Sequence, residues 1–409
     1  MHSGKSDICI VGGGPAGLCL ALLLLKSGVR VTLLEKSGSL DNRDYRGEIL
    51  QPGGLELLDR LGVLEPARAR GGYEHERFRV VDRGRVLLDA DYRRLPAPYN
   101  LLLSLPQPHL LGALLDACLG HEGFVHLPGT RVTALLREDS RITGVRADGP
   151  GGGYEIEAHC VVGADGRYSK VRRLAGIESA RVEAFDQDVL WFKVPLGRPD
   201  GPRAVQVYRS AGSPVLMYHC YPGLMQFGWT LPHGGYRAVA DRGIGYILDE
   251  ITKAVPPYAE AIRGHVNALS DLTLLDVFSG QAETWTADGL VLIGDSAHTH
   301  GPIGAQGINL AVQDAVLLHP VLLDSLRARD AGAQLLSRFE RERRPAVDGV
   351  LKLQAMQGRA MLSRNPVADA VRPVLSRAVS HTPVYRKILT RIAYGSTPVR
   401  VREELFSPA

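Results

Sequence analysis

A glycine-rich turn between a buried strand and a helix is the strongest constraint on how this chain folds. Residues 8–11 are a short continuous apolar run, typical of a buried parallel strand, and residues 18–26 predict an apolar helix. Between them the sequence GGGPAG occupies residues 12–17, and a second apolar run ends at the acid Glu35. This order of strand, turn, helix, strand and acid predicts a dinucleotide-binding βαβ unit.

Each glycine of this turn has its own physical role. Gly12 permits the tight turn, Gly14 lets the backbone approach a pyrophosphate, and Gly17 lets helix and strand pack closely. The helix that follows presents free N–H groups at its N-terminus, and these stabilise negative charge. Glu35, 18 residues after Gly17, can accept hydrogen bonds from a ribose. The turn therefore predicts a bound dinucleotide, and by itself it leaves FAD and NAD open.

A second strand and loop distinguish the two cofactors. Residues 290–295 read LVLIGD, a buried strand ending in an acid, and a glycine-rich loop then opens a helix that runs through Asp314. An acid at a strand end can bind ribityl hydroxyls. The N–H donors of such a loop suit the anionic edge of a reduced flavin. The pair of motifs therefore indicates FAD.

Length and composition describe an ordinary soluble globular protein. The 409 residues suggest two or three domains, and 45% are hydrophobic against 22% charged. The five cysteines are scattered without a Cys-x-x-Cys pair, which argues against a disulfide framework or a zinc site. No apolar stretch reaches the length of a membrane span, and no secretory signal precedes the first strand. We expect a cytoplasmic protein without metal.

The region from about residue 189 to 231 has a different pattern. Short alternating strands separated by Gly and Pro turns predict an antiparallel sheet rich in aromatic residues and methionine. Such side chains suit a flat, apolar ligand, although some of them must simply form a core. Alternation groups them by face without showing which face meets the ligand. The substrate-binding candidates are Trp191, Tyr208, Met217, Tyr221, Phe227 and Trp229.

Four motifs, in order along the chain, resemble the single-component FAD monooxygenases related to para-hydroxybenzoate hydroxylase and to the hydroxylases of ubiquinone biosynthesis. Two are the glycine turn and the Gly-Asp strand described above. The third is VVGADG at residues 161–166, similar to the family's Asp-Gly motif, and the fourth is RGEILQPG at residues 46–53, similar to its arginine strand. Together they span about residues 7–350. Agreement by chance in four ordered motifs is not expected.

The resemblance assigns residues to the cofactor. It places the pyrophosphate at the glycine turn, the ribose at Glu35 and the flavin ring beside Pro302 and the loop that follows it. The implied cofactor-binding residues are Gly12, Gly14, Pro15, Ala16, Gly17, Glu35, Lys36, Arg46, Gln107, Val132, Asp165, Asp295, Pro302, Gly304, Gly307, Ile308 and Asn309.

The sequence departs from the family pattern near the flavin ring. His300 stands two residues before the expected proline, where members of the family vary, and Ala305 stands where glycine is common. His298 is shared by members with different substrates, which favours a structural role. The candidates for catalytic roles are Arg46, His300 and Pro302.

The implied activity is hydroxylation of an aromatic or other electron-rich apolar small molecule through a C4a-hydroperoxyflavin. NADPH or NADH is the implied reductant, and molecular oxygen is the implied co-substrate. The chain has no second dinucleotide-binding fingerprint, which fits a nicotinamide cofactor that binds only transiently. Of 48 basic residues 40 are Arg, which is typical of a GC-rich bacterial genome and points to secondary metabolism. The alternatives are an FAD-dependent reductase, a halogenase and a flavin-bound binding protein. The halogenase Trp-x-Trp-x-Ile-Pro signature is missing.

The implied fold class is α/β, a Rossmann-type FAD-binding domain with an inserted antiparallel β-sheet substrate domain and a helical C-terminus. The expected FAD-binding domain is discontinuous, over residues 1–74, 101–180 and 281–350. The expected substrate domain spans residues 75–100 and 181–280, and the C-terminal helices span residues 351–409.

Charge is unevenly distributed and bears on partners. From residue 325 onward the chain has 16 Lys and Arg against 7 Asp and Glu, without the interleaved aromatics of a nucleic-acid platform. We therefore expect a solvated helical face and no nucleic acid, and keep peripheral contact with a membrane as a variant. The expected assembly is a monomer or a homodimer.

Overall fold

The computed structural model describes residues 2–39, 47–182, 187–196, 203–209, 213–362 and 382–408, together with residues 371, 374 and 378. Its helices are α1 (Pro15–Lys26), α2 (Pro52–Arg60), α3 (Leu64–Ala69), α4 (Gln107–Leu119), α5 (Lys170–Leu174), α6 (Tyr236–Ala240), α7 (Gly243–Ala254), α8 (Ala259–His265), α9 (Gly307–Ala328), α10 (Ala333–Leu362) and α11 (Pro383–Tyr394).

Twenty-one strands accompany them. They are β1 (His2–Val11), β2 (Val31–Glu35), β3 (Ile49–Leu50), β4 (Tyr73–His75), β5 (Arg77–Asp82), β6 (Arg85–Asp91), β7 (Leu102–Ser104), β8 (Phe124–Pro128), β9 (Arg131–Glu138), β10 (Arg141–Gly149), β11 (Gly152–Gly163), β12 (Ser179–Val182), β13 (Gln187–Pro195), β14 (Ala204–Arg209), β15 (Val215–Cys220), β16 (Leu224–Pro232), β17 (Thr273–Leu275), β18 (Ser279–Ala282), β19 (Thr286–Ala287), β20 (Leu290–Leu292) and β21 (His298–Thr299).

An eight-stranded sheet carries both cofactor motifs. Strands β20, β11, β1, β2 and β8 run parallel in that order, β19 pairs antiparallel with β20, and the β9–β10 hairpin continues from β11. Parallel strands of a doubly wound sheet present their carboxyl ends at one edge. The glycine turn after β1 and the Gly-Asp turn after β20 therefore lie at the same edge. The predicted α/β fold class is confirmed.

Helix α1 is the centre of the main hydrophobic core. Its residues 16–25 are all buried, as expected of a helix that is apolar on every side. It packs against α4 and α9 within this core. The C-terminal segment returns to this core, where Phe406 packs and the Ser407 N–H donates to the Lys26 carbonyl at 2.8 Å.

A seven-stranded sheet has the order β17-β13-β16-β15-β14-β5-β6. All of its ladders are antiparallel except the one between β14 and β5, which is parallel. The predicted antiparallel sheet therefore contains one parallel ladder. The physical reason is that the β5–β6 hairpin comes from an earlier part of the chain and joins at an edge, so no tight turn dictates its direction.

The two faces of this sheet pack against different neighbours. On one face, which we call the outer face, Phe192, Met217 and Phe227 form a core with Ile247 and Ile251 of α7. On the opposite face, which we call the inner face, residues of β13, β14 and β15 form a second core. Its other members come from β3, α11 and the segment before β7.

Sequence patterns located most of the other elements that the structure shows. The sequence predicts helices over residues 52–61 and 107–119, which are α2 and α4, and hairpin turns at residues 82–84 and 139–140, which join β5 to β6 and β9 to β10. It also predicts helix breaks near Pro366, Pro373 and Pro383; Pro383 begins α11, and the other two prolines lie outside the described residues. All five cysteines are buried and free. None of the helices described has both the length and the apolar character that crossing a bilayer demands.

Candidate active site

The glycine turn after β1 forms a cradle that only small residues can line. Gly12 has φ +111°, and a Cβ there would lie 2.4 Å from the Ala164 carbonyl oxygen. A Cβ on Gly17 would lie 2.0 Å from the Gly12 carbonyl oxygen. Helix α1 begins at Pro15, and Gly14 before it provides no capping side chain, so the first N–H groups of the helix remain for a ligand. This geometry fits a pyrophosphate.

Glu35 ends β2 beside this cradle. Its carboxylate is 5% exposed, and it accepts the Gly13 N–H at 2.7 Å and the Ser37 N–H at 2.9 Å. These bonds hold the acid next to the turn, where a ribose attached to the pyrophosphate would lie. Lys36 follows on the exposed side of the chain, and Val132 is buried on β9. The roles of Lys36 and Val132 toward FAD stay predictions.

The Gly-Asp turn after β20 packs directly on the glycine turn. Gly294 has φ +58°, and a Cβ on it would lie 3.2 Å from the Ala16 side chain at the start of α1. The neighbouring Asp295 side chain is 32% exposed, with a carboxylate oxygen 3.6 Å from Nη2 of Arg167. The structure thus brings together two motifs separated by almost 280 positions in the sequence.

The carboxylate of Asp165 lies at the start of helix α5, and the role of Asp165 toward FAD stays a prediction. Its carboxylate accepts the Ser169 hydroxyl at 2.5 Å and the backbone N–H groups of Lys170 and Val171 at 2.6 and 3.0 Å. These bonds begin helix α5 and use both carboxylate oxygens. Its backbone, rather than its carboxylate, contacts the glycine turn, because a Cβ on Gly12 would lie 2.9 Å from the Asp165 Cα.

Two arginines near Asp165 were missing from the predicted site. Arg167 approaches Asp295 and donates to the Asp276 carbonyl at 3.0 Å. Arg172 is buried and donates to the Ser296 carbonyl at 2.7 Å, so it ties α5 to the Gly-Asp turn. Arg172 stood within the quoted Asp-Gly stretch, but nothing in a strand-and-turn pattern shows which carbonyl a distant side chain reaches.

A buried charge cluster stands beneath the second loop. Asp314 of α9 accepts the Gly294 N–H at 2.8 Å, and it pairs with His298 at 2.7 Å and with Arg343 of α10 at 2.7 Å. Burial by itself raises the pKa of the Asp314 carboxyl, but His298 and Arg343 outweigh it and lower that pKa to about 2. These contacts support the structural role predicted for His298.

Amide side chains hold the loop that precedes α9. Gln51 donates to the Gly304 carbonyl at 2.8 Å, and Gln354 of α10 donates to the carbonyls of Gly301 and Ile303 at 3.0 and 2.7 Å. Gln306 also donates to the Gly304 carbonyl, at 3.1 Å. Asn309, predicted to contact the cofactor, donates to the Ala305 carbonyl at 2.7 Å and accepts the Gln51 N–H at 2.9 Å.

The same loop leads to a second helix N-terminus. Helix α9 begins at Gly307, and its N-cap residue Gln306 makes no side-chain capping bond. The N–H groups of Gly307 and Ile308 therefore face the loop that carries Pro302 and Gly304. The N-termini of α1 and α9 both lack side-chain caps, and both would fit the anionic groups of FAD.

Arg46, His300 and Gln107 are three further residues predicted to lie near the flavin. Arg46 lies outside the described residues. His300 is 8% exposed, its Nε2 has no partner among the described residues, and burial first of all lowers its pKa well below the usual value. Gln107, the first residue of α4, is buried and donates to the Gly47 carbonyl at 3.4 Å. The positions of His300 and Gln107 are compatible with the flavin site, and the roles of all three residues stay predictions.

The substrate candidates divide between the two faces of the seven-stranded sheet. Met217, Phe227 and Trp229 are at most 4% exposed and lie in the outer-face core, and Tyr208 packs against the same core. Helices α7 and α8 cover the outer face, and the contact of these residues with substrate stays a prediction. Tyr221 is 43% exposed at the end of β15, where its ring meets His109.

Trp191 is the substrate candidate that lies on the inner face. It is 5% exposed and packs with Tyr218, Ile49 and Tyr92. Ala305 of the loop before α9 contacts the same core, so the inner face is the one next to the predicted flavin ring. Tyr218 was missed in the sequence because it alternates with the outer-face residue Met217.

Comparison with known proteins agrees with this geometry. Residues 5–354 match a protein family described as an FAD binding domain. The chain is 55% identical over 401 residues to a 6-methylpretetramide 4-monooxygenase of Streptomyces rimosus, across 98% of this chain and 95% of that protein.

Solved structures share the fold over almost the whole chain. A p-nitrophenol 4-monooxygenase of Pseudomonas putida matches with a TM-score of 0.81 at 21% identity, over 97% of this chain and 100% of that one. An anhydrotetracycline hydroxylase of Streptomyces rimosus matches with a TM-score of 0.72 at 26% identity, over 95% of this chain and 76% of that one. Both sheets are therefore within the region of likeness.

Proposed function

The chain belongs to the family of FAD-dependent monooxygenases that share this FAD binding domain, and from that membership we propose that it hydroxylates a flat aromatic polyketide. The observation that carries the proposal is the similarity, over nearly the full length, to an enzyme named for oxygenation of 6-methylpretetramide. The aromatic inner face of the seven-stranded sheet, next to the flavin loop, supports a flat substrate. Bacterial secondary metabolism is the setting that the Streptomyces relatives share.

The cofactor supplies the oxygen-transferring chemistry, with NADPH or NADH as the proposed reductant and molecular oxygen as the co-substrate. The chain binds and orients. Gly12, Gly14 and Gly17 would cradle the pyrophosphate, Glu35 would hold a ribose, and Asp295 would hold the ribityl chain. Pro15 and Ala16 begin the helix whose N–H groups face the two phosphates.

Where the flavin ring would lie, backbone N–H groups would take the place of water. The N-terminus of α9, with the N–H groups of Gly307 and Ile308, would stabilise the negative charge that a flavin acquires on reduction. His300 is buried and its pKa is lowered, so near neutral pH it contributes a neutral imidazole and no charge. Arg46, His300 and Pro302 remain our candidates for positions that touch flavin or substrate.

The assignment of chain segments to FAD binding and to substrate binding is also a proposal. Residues 1–74, 101–180 and 281–350 would bind FAD, and residues 75–100 and 181–280 would cover the substrate. The membership of β5 and β6 in the seven-stranded sheet supports this assignment, because it joins residues 77–91 to strands more than a hundred positions later. Helix α11 would close the inner face, where Leu389 and Ala393 pack.

The decisive experiment uses the purified, FAD-loaded enzyme with 6-methylpretetramide. We expect faster flavin reduction by NADPH or NADH when the aromatic compound is present, followed by oxygen consumption and a product that has gained one oxygen atom. Reduction of the flavin without any oxygenated product would move the assignment to a reductase. Failure to bind 6-methylpretetramide would overturn the proposed substrate.

A variant tests the assignment of Asp295 to the cofactor. Asp295→Ala should lower the affinity for FAD at least tenfold, because it removes the acid beside the glycine turn. The flavin absorbance of the purified protein measures this loss. Asp276→Ala is the matched control, since it removes a 45% exposed carboxylate that pairs with Arg181 and leaves the Asp276 backbone carbonyl that accepts from Arg167. An Asp295→Ala protein that stays fully loaded would contradict the assignment.

A further inference from the structure

Two buried polar atoms on the inner face have no hydrogen-bond partner among the described residues. One is the indole Nε1 of Trp191, whose residue is 5% exposed, and the other is the amide Oε1 of Gln226, whose residue is 1% exposed. More than nine in ten buried polar groups in folded proteins are paired, and an unpaired one costs free energy. A pair of such atoms on one face therefore needs an explanation.

The register of the strands makes Trp191 and Gln226 near neighbours on the inner face. Gln226 of β16 lies directly between Tyr218 of β15 and Lys193 of β13, which makes one rung across three strands. The next rung consists of Leu216, Gly228 and Trp191. The two unpartnered side chains are thus diagonal neighbours on adjacent strands, a separation of about 7–8 Å between their Cα atoms.

Gly228 makes room for the indole. A Cβ at this position would lie 2.5 Å from Cζ3 of Trp191, so the six-membered part of the indole rests on the glycine backbone. The ring of Tyr218 meets the indole edge-on, with the ring centroids 6.5 Å apart. The rung of Leu216, Gly228 and Trp191 is consequently a flat apolar surface beside a polar rung.

The rung of Tyr218, Gln226 and Lys193, which we call the polar rung, is connected to the segment that leads into β3. Nζ of Lys193 lies 2.7 Å from Oε1 of Glu48, and Glu48 directly precedes β3, which leads to Gln51 and the flavin loop. Burial raises the pKa of the Tyr218 hydroxyl well above its usual value, so that hydroxyl keeps its proton. The polar rung therefore lies on the side of the inner face that adjoins the predicted flavin site.

We propose that Trp191 Nε1 and Gln226 Oε1 are the hydrogen-bond pair that orients the substrate, with the indole N–H donating to a carbonyl and the amide oxygen accepting from a hydroxyl or amide N–H. This inference rests on the proposed function and names the chemical class within it. The substrate is a flat polycyclic aromatic that carries an acceptor and a donor on one edge, as a hydroxyl beside a ketone or carboxamide does. Its ring lies on the apolar rung, and its oxygenated edge faces Gln226.

The test uses two variants of the FAD-loaded enzyme that remove one polar atom each. Gln226→Leu and Trp191→Phe should each raise the KM for 6-methylpretetramide about tenfold or more, with a smaller change in kcat. Both should leave Tm unchanged or raise it, because an unsatisfied buried group has been removed. A purely structural role predicts the opposite, a lower Tm and an unaltered KM.

Gln187→Leu is the matched control. Gln187 begins the same strand, and its buried amide oxygen also lacks a partner among the described residues, but it lies four positions from Trp191 and pairs with Pro232. It should shift Tm in the same direction and leave KM unchanged. If all three variants change KM equally, or if Gln226→Leu and Trp191→Phe lower Tm without raising KM, the inference is overturned.

Failure of the proposed function would look different. If the wild-type enzyme neither binds nor oxygenates 6-methylpretetramide, the substrate assignment fails, and the Tm values alone decide whether the two atoms are unsatisfied. Higher Tm in Gln226→Leu and Trp191→Phe would then support the premise that both atoms lack a partner within the protein, and lower Tm in both would overturn the inference.

Discussion

At the scale of single residues, Asp314 joins the two ends of the second loop. One of its carboxylate oxygens accepts hydrogen bonds from the Gly294 N–H and from His298, and the other accepts a hydrogen bond from Arg343. Arg343 is 2% exposed and Asp314 is fully buried. Removal of one partner from such a buried pair leaves the other as an uncompensated charge, which costs far more than the loss of a surface ion pair.

We predict that Asp314→Asn lowers the free energy of unfolding by about 3–5 kcal/mol, because Arg343 keeps its charge without a carboxylate. The affinity for FAD should fall as well, since Gly294 positions Asp295. Urea unfolding and flavin content measure the two effects. Asp324→Asn on the same helix is the control, because Asp324 pairs with Arg327 and Arg338 at the surface. Equal effects of the two variants would contradict the prediction.

At the scale of elements, side-chain hydrogen bonds tie the loop before α9 to three other segments. Gln51 comes from the N-cap of α2, Gln354 from α10, and Gln306 also reaches the Ile392 carbonyl at 2.9 Å in α11. Ala305 has φ +50°, a left-handed conformation that costs an L-residue about 1–2 kcal/mol. A loop that is strained at one residue and held by amides at several others is preorganised for a ligand.

Gln354→Leu should therefore loosen the loop without unfolding the protein. Two carbonyls, those of Gly301 and Ile303, lose their donor. We expect the affinity for FAD to fall about tenfold and kcat to fall with it, as measured by flavin fluorescence and by turnover. Gln334→Leu is a matched control on the same helix, because Gln334 is exposed. Retention of wild-type FAD affinity by Gln354→Leu would show that the loop does not need this donor.

At the scale of the whole molecule, buried neutral histidines are spread over separate regions. Burial is the main cause that lowers the pKa of His75 to about 3 and that of His319 to about 4, and it also lowers the pKa of His300. In the unfolded chain each titrates near 6.5, so below that pH the unfolded state binds more protons than the folded state. Stability must then fall as the pH decreases.

We predict that the free energy of unfolding declines from about pH 6.5 down to about pH 4, by as much as about 1.4 kcal/mol per pH unit for each buried histidine. Carboxylates such as Asp314, whose pKa is lowered to about 2, add their loss only below about pH 4. Urea titrations at several pH values measure the slope. His319→Gln, which keeps a polar partner near Ser27, should reduce that slope by one proton. An unchanged slope in this variant would contradict the prediction.

The sequence predicts a cofactor site because each motif depends only on the conformation of a short backbone segment. A strand that ends in Gly12-x-Gly14-x-x-Gly17 leaves no room for a Cβ at Gly12 or Gly17, and this holds wherever the rest of the chain goes. The Gly-Asp turn, the hairpins and helices α2 and α4 were predictable for the same reason. Alternation along β13, β15 and β16 likewise separated the aromatic residues into two sets.

Only the tertiary structure decided which segments the two sets of aromatic residues and the acid Asp165 contact. Strand alternation defines two faces but not their neighbours. The packing of α7 and α8 showed that Phe227 and Trp229 lie in the outer-face core, and the contact of Ala305 with the inner-face core showed which face adjoins the loop before α9. Asp165 turned toward the start of α5, and Gln354 reached a loop some fifty positions earlier in the chain. Local sequence determines backbone shape through sterics. The partner of a side chain depends on which distant segments meet, and that is settled by burial of the whole chain at once.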